Sequence, residues 1–100
     1  MKVTWSVLAE QRALEAVDSI ALDRPAGAEQ WLEELIERVA KLDRLARRGR
    51  VIPEIGLPAF REMFHAPYRV IYRVDPTQVV ILTLRHWRRS WDPGEVADGV

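Results

Sequence analysis

The stretch Tyr68-Arg69-Val70-Ile71-Tyr72-Arg73-Val74-Asp75-Pro76-Thr77-Gln78-Val79-Val80-Ile81-Leu82-Thr83-Leu84-Arg85-His86-Trp87 decides the fold. It holds two runs of β-branched and aromatic residues around an Asp-Pro-Thr-Gln turn. The reading is a hairpin, with strands over 68–75 and 79–87. Side chains alternate across a strand, so Tyr68, Val70, Tyr72 and Val74 share one face. Arg69, Ile71, Arg73 and Asp75 share the other. On the second strand Val80, Leu82 and Leu84 are expected opposite Val79, Ile81, Thr83 and Arg85. The uniformly apolar face should meet the helices. The face that mixes arginines with aliphatics is a candidate binding surface.

Working upstream, 59–64 reads as a third strand, ended by His65-Ala66-Pro67, which completes a three-stranded antiparallel meander. Residues 50–58 carry Pro53, Gly56 and Pro58 and read as a loop. Before them lies the clearest helix. Ala28, Trp31, Leu32, Leu35, Val39, Leu42 and Ala46 keep the helical period over five turns. Glu34 with Arg38 and Glu37 with Lys41 are spaced as supporting ion pairs. Arg47 and Arg48 suit the helix C-terminus, and Gly49 suits a left-handed C′ position. Asp23-Arg24-Pro25 breaks this helix from an earlier one over 7–22. Ser6 is its expected N-cap, and Leu14, Val17, Ile20 and Ala21 its apolar stripe. Residues 2–5 read as a short first strand. The fold class is α+β: an N-terminal strand, an antiparallel helix hairpin and the meander, with helices on one face of a four-stranded sheet. Residues 1–90 should form a single domain, and 91–100, with Pro93, Gly94 and Gly99, a loose tail.

Bulk composition narrows the function classes. The chain has 100 residues, 48% hydrophobic and 30% charged, so one globular core is expected. It contains no cysteine, which excludes disulfides and thiolate chemistry. The longest apolar run, Val79-Val80-Ile81-Leu82, is too short to span a membrane, and no export signal is read, so the cytoplasm is the expected location. Two histidines without a nearby third ligand argue against a metal site, and no cofactor motif is present. Net charge is zero, yet arginine outnumbers lysine thirteen to two. Arginines cluster at 44–50 and 61–89, which permits a polyanion partner.

Several words, taken in order, resemble the RelE/ParE toxin superfamily. They are Gly49-Arg50-Val51-Ile52-Pro53-Glu54, then Phe60-Arg61-Glu62, then Tyr68-Arg69-Val70-Ile71-Tyr72-Arg73-Val74, then Ile81-Leu82-Thr83-Leu84-Arg85-His86-Trp87-Arg88-Arg89. Val3-Thr4-Trp5-Ser6 and Asp23-Arg24-Pro25 are similar too, so the resemblance covers about 2–89. It implies a growth-inhibiting toxin of a type II, plasmid-stabilising pair, neutralised by a cognate antitoxin, with higher-order complexes between the two. RelE-like members cut mRNA on the ribosome, whereas ParE-like members poison DNA gyrase.

RNA cleavage through the 2′-hydroxyl needs a base, a cation for the phosphorane and an acid for the leaving group. Arg69 matches the family's sheet arginine, and Arg61, His86 and Arg89 are the candidate assistants. His86 reads equally as a strand-end residue packed on Trp87. No lysine follows Lys41 and no tyrosine follows Tyr72, which weighs against cleavage. Arg73, Arg85, Trp87, Arg88 and Trp91 are candidate partner contacts, since aromatics beside arginines anchor proteins or stack bases. Two plainer readings are that His65 is a surface turn residue and that Trp31 belongs to the core. A third possibility is a degenerate module that only binds its antitoxin.

Overall fold

In the computed structural model, which describes residues 1–89 and Gly94, the hairpin forms from β4 (Tyr68–Val74) and β5 (Gln78–His86). The remaining strands are β1 (Lys2–Trp5), β2 (Arg50–Val51) and β3 (Phe60–His65). The helices are α1 (Val7–Asp23), α2 (Pro25–Ala40) and the single turn α3 (Leu42–Leu45). A 3₁₀ turn over Ala46–Arg48 follows α3. The sheet has five strands in the order β1-β5-β4-β3-β2, one more than the sequence led us to expect. The extra edge strand is β2, inside the segment read as a loop, where Arg50 faces Glu62 and Val51 faces Arg61. β1 runs parallel to β5, and the other pairings are antiparallel.

The face assignment holds on β4 and fails on β5. Val70, Tyr72 and Val74 join the helix-side core, as the alternation requires. On β5 a bulge intervenes: Tyr72 pairs with Ile81 but Ile71 pairs with Thr83, leaving Leu82 as the extra residue. One inserted residue inverts the alternation beyond it. Val79, Ile81 and Leu84 therefore share the helix side. Val80 and Leu82 turn to the opposite face and pack with Ile52 and Ile71 in a second, small core. The supposedly open face is thus partly roofed by the 52–59 segment, and Ile71 is fully buried.

Ser6 ties the bulge to α1. Its hydroxyl accepts from the Ala9 amide at 3.0 Å, the expected N-cap, and donates to the Leu82 carbonyl at 2.8 Å. Its own amide donates to the Ile81 carbonyl at 2.9 Å. Ser6→Ala removes the cap and the hydroxyl bonded to the Leu82 carbonyl. The expected loss is about 1–2 kcal/mol. In urea unfolding this reads as a lower midpoint with an unchanged slope.

The helices show where periodicity was a sound guide. On α2, Ala28, Trp31, Leu35 and Val39 are buried as expected. On α1 the buried row is Ala9, Ala13, Ala16 and Ile20, rotated from the expected stripe, and Leu14 is 62% exposed. Three alanines on that row let α1 lie close to its neighbours, while Trp31 supplies volume from α2. The expected single helix from 28 to 46 is interrupted after Ala40. Amides of Arg44 and Leu45 both bond the Lys41 carbonyl, tightening the end, so Leu42 and Ala46 stay buried. Gly49 is not a left-handed C′ residue: its φ is −65° and ψ 154°, ordinary extended backbone.

Candidate functional site

Strand β4 presents Arg69 on the face away from α1 and α2, one pleat from Val70. In register, Arg69 stands opposite Phe64 of β3, so Glu62 lies on the diagonal, and Arg50 of β2 stands opposite Glu62. The 52–59 segment, held by Ile52 and Ile55 over Ile71, carries Glu54 to the same place. Arg69 Nε and Nη2 donate to the two Glu62 oxygens at 2.9 and 2.8 Å. Its Nη1 and Nη2 donate to the two Glu54 oxygens at 2.9 and 3.0 Å. Arg50 Nη2 adds a third contact to Glu62 at 3.2 Å. Two cations face two carboxylates, so the cluster is formally neutral.

The electrostatics follow from these contacts. Hydrogen bonds from Arg69 hold the Glu54 carboxyl below its ordinary value. Burial pushes Glu62 up, but hydrogen bonds from Arg69 and then Arg50 outweigh it, and the net shift is downward. The guanidinium of Arg69 is correspondingly raised by Glu62 and Glu54. All three groups are therefore charged throughout the physiological range. Beside them opens a hollow of about 450 Å³ lined by Arg50, Glu62, Phe64, Arg69 and Trp87. Its two aromatics are half exposed, Phe64 at 53% and Trp87 at 51%.

Of the other residues singled out from sequence, Trp87 lines the same hollow and Arg85 stands opposite Arg69 in the β4–β5 register, whereas Arg61, Arg73, His86 and Arg89 are engaged elsewhere. Arg61 donates to three backbone carbonyls, of Pro58, Arg47 and Gly49, at 2.9, 3.0 and 2.9 Å, and so staples the 47–58 segment. Arg73 is held by Asp75 at 2.7 and 3.0 Å. His86 and Arg89 line a different cleft, of about 400 Å³, with Arg85, Arg12 and Glu15 of α1. The His86 ring lies edge-on to Tyr68, with centroids 5.4 Å apart, and its Nδ1 accepts from the Arg88 amide at 3.2 Å. Arg88 sits over Trp87 at 5.0 Å. Trp91 lies outside the described residues. Among the described residues no His, Asp and Glu cluster is suited to a metal ion.

His65, expected at the surface, is buried at 5% exposure. The tight β3–β4 connection turns its ring inward against Trp31, at 5.1 Å between centroids. The Trp31 carbonyl lies 3.0 Å from Nε2 and Arg38 Nη1 lies 3.1 Å from Nδ1. These partners fit a ring that donates from Nε2 and accepts at Nδ1. Arg38 also bonds the Phe64 carbonyl, and Glu34 accepts from Gln30. Trp31 is core, as expected, with its indole N–H on the Ala66 carbonyl at 2.8 Å.

Glu54, Glu62, Arg50 and Phe64 were missed as site residues. The signal for Glu62 and Phe64 was present: alternation on β3 puts them on the Arg69 face. Glu54 reaches the site only through the roofing segment, which periodicity does not describe.

A helix hairpin packed on one face of a mostly antiparallel sheet, with an arginine-bearing opposite face, is the architecture of small bacterial toxins of the RelE/ParE type. A family model described as the ParE toxin of the type II toxin–antitoxin system parDE matches residues 3–91, and the chain belongs to that family. Among solved structures it is similar to a chain of the chromosomal ParDE toxin–antitoxin system from P. aeruginosa. That match has a TM-score of 0.72 at 21% identity and covers 86% of this chain and 95% of the other. It is also similar to a chain of the RelBE2 toxin–antitoxin complex from Mycobacterium tuberculosis. There the TM-score is 0.62 at 24% identity, over 85% of this chain and 95% of that one. At such identities these two likenesses speak for the fold. No curated protein sequence matches. No helix among the described residues is long and apolar enough to cross a membrane.

Proposed function

We propose that this ParE-family toxin is a protein-binding inhibitor of DNA gyrase, neutralised by a cognate antitoxin, and that it does not cleave RNA. The observation carrying the reading is the state of Arg69. Four hydrogen bonds to Glu54 and Glu62 occupy the one arginine that matches the nuclease position. A phosphorane-stabilising cation has to meet the phosphate with donors available, and two carboxylates beside it repel that phosphate. The proposed assistants are elsewhere: Arg61 is spent on backbone carbonyls, and His86 and Arg89 line another cleft. Of the tyrosines, Tyr72 is fully buried with its hydroxyl donating to the Ala46 carbonyl at 2.6 Å. The antitoxin partner is supported by family membership and by the toxin–antitoxin complexes named above. Trp87 with the stacked Arg88, and Arg85 and Arg73 along the strands, are the proposed protein contacts, since exposed aromatics beside arginines are favoured anchors.

The purified chain, titrated into a gyrase supercoiling reaction, is expected to accumulate cleaved DNA held by gyrase. Added antitoxin should abolish the effect. Unaltered gyrase at saturating toxin, together with new cuts by primer extension on a translated message, would replace this reading with the ribonuclease one.

A further inference from the structure

We propose that Glu54 and Glu62 act as built-in substitutes for phosphate on Arg69, and that Glu54 is the removable half that keeps single-stranded nucleic acid off this face of the sheet. The proposal rests on the protein-target reading above and deepens it, by naming what excludes the alternative ligand. Without its acids, the hollow would be a platform for a nucleic-acid strand. Arg69 and Arg50 would offer forked donors to a phosphodiester, and Phe64 and Trp87 would offer half-exposed rings to bases. With the acids present, the two oxygens of Glu54 bond Arg69 as two phosphate oxygens would, and Glu62 engages both Arg69 and Arg50.

The two glutamates are not equivalent. Glu62 is the inner partner: its side chain is 8% exposed, it sits in a central strand pairing, and it serves Arg50 as well as Arg69. Glu54 is the outer partner, 32% exposed and carried on the roofing segment rather than on a strand. Its removal leaves the strand pairings and the Ile52–Ile71–Leu82 cluster intact, and turns one edge of the Arg69 fork toward the hollow. A role confined to stability would lower the unfolding midpoint of a Glu54 variant and leave its ligand affinity unchanged. An excluding role changes affinity.

The test compares the full chain and its Glu54→Ala variant for binding a fluorescein-labelled single-stranded oligouridine RNA by anisotropy at low salt. Glu33→Ala, on the exposed side of α2, carries the same charge change away from the site. The expected result is roughly tenfold tighter binding for Glu54→Ala than for Glu33→Ala, with a steeper salt dependence. The gain should vanish in Glu54→Ala/Arg69→Gln. Should that double variant fail to fold, the Arg69 Nε–H resonance of Glu54→Ala, shifting on RNA addition, supplies the same readout. Equal affinities for Glu54→Ala and Glu33→Ala would overturn the proposal. So would wild-type binding that already depends on Arg69. Gyrase trapping by the wild-type chain is scored separately. Its absence would remove the gyrase reading while the RNA comparison still decides the role of Glu54.

Discussion

Gly49→Ala is expected to destabilise the chain by about 3–5 kcal/mol, a large share of the stability of a small domain. The reason is a close approach and not a backbone angle, because φ of −65° suits any residue. A Cβ at position 49 would collide with the Tyr72 hydroxyl, and would lie 2.8 Å from both Tyr72 Cζ and the Glu62 carbonyl oxygen. Neither neighbour can give way. Tyr72 is fully buried on a central strand, and Glu62 belongs to the β3 backbone. The Tyr72 hydroxyl also donates to the Ala46 carbonyl at 2.6 Å and accepts from the Gly49 amide at 3.1 Å. Moving the ring breaks both bonds and leaves buried polar groups unpaired. Chemical denaturation of Gly49→Ala, Tyr72→Phe and the double variant checks the mechanism. The two single losses should not add, since removing the hydroxyl removes much of the collision. A Gly49→Ala midpoint within about 0.5 kcal/mol of wild type would reject the close-approach account.

Arg69→Ala should cost about 2–4 kcal/mol near neutral pH. Removing one partner of a buried ion pair leaves the other charge uncompensated, which ordinarily costs about 3–5 kcal/mol. Here the cost is smaller, because Arg50 remains 3.2 Å from Glu62 and Glu54 can turn to solvent. The pH dependence has a definite sign. Both glutamates have folded values depressed below their ordinary 4.5. The stability they contribute is therefore complete above about 4.5 and is lost as pH falls through their lower folded values. In Arg69→Ala the depression shrinks, because only Arg50 is left to oppose the burial of Glu62. The gap between wild type and variant should accordingly narrow on acidification below pH 4.5 and be widest near neutrality. Unfolding curves collected from about pH 3 to 8 test this, and a gap that widens in acid contradicts the ion-pair account.

How much of this was readable from residues alone varies by element. β4 was legible because its alternation is unbroken and one face is wholly apolar. β5 carries equally strong strand residues, yet the carbonyl at its bulge, that of Leu82, is bonded by the hydroxyl of Ser6, seventy-six positions away. No local pattern announces that. α2 was legible because Trp31, Leu35 and Val39 are large and regularly spaced. α1 misled because alanine is a weak hydrophobic signal: Leu14 looked like core, while the packed row was Ala9, Ala13 and Ala16. At the site, Arg69 was found from its place in the hairpin and its family resemblance. Its carboxylate partners were not, because one lies on a neighbouring strand and the other on an irregular segment held by a small second core and by the Arg61 hydrogen bonds. The sequence therefore located the cation without revealing its neutralisation, which is the feature that shapes the functional reading.

The parallel pairing of β1 with β5 has a consequence for the order of events during synthesis. β1 leaves the ribosome seventy-six residues ahead of its partners, Gln78 to Ile81. Until then Ser6 has neither the Ile81 nor the Leu82 carbonyl to bond, and the α1 row of alanines has no sheet beneath it. The helices can gather early through local contacts, but the sheet that bears Arg69 closes only after β5 has been made. A nascent chain that has not yet released β5 therefore lacks the closed sheet on which Arg69, Glu62 and Glu54 meet.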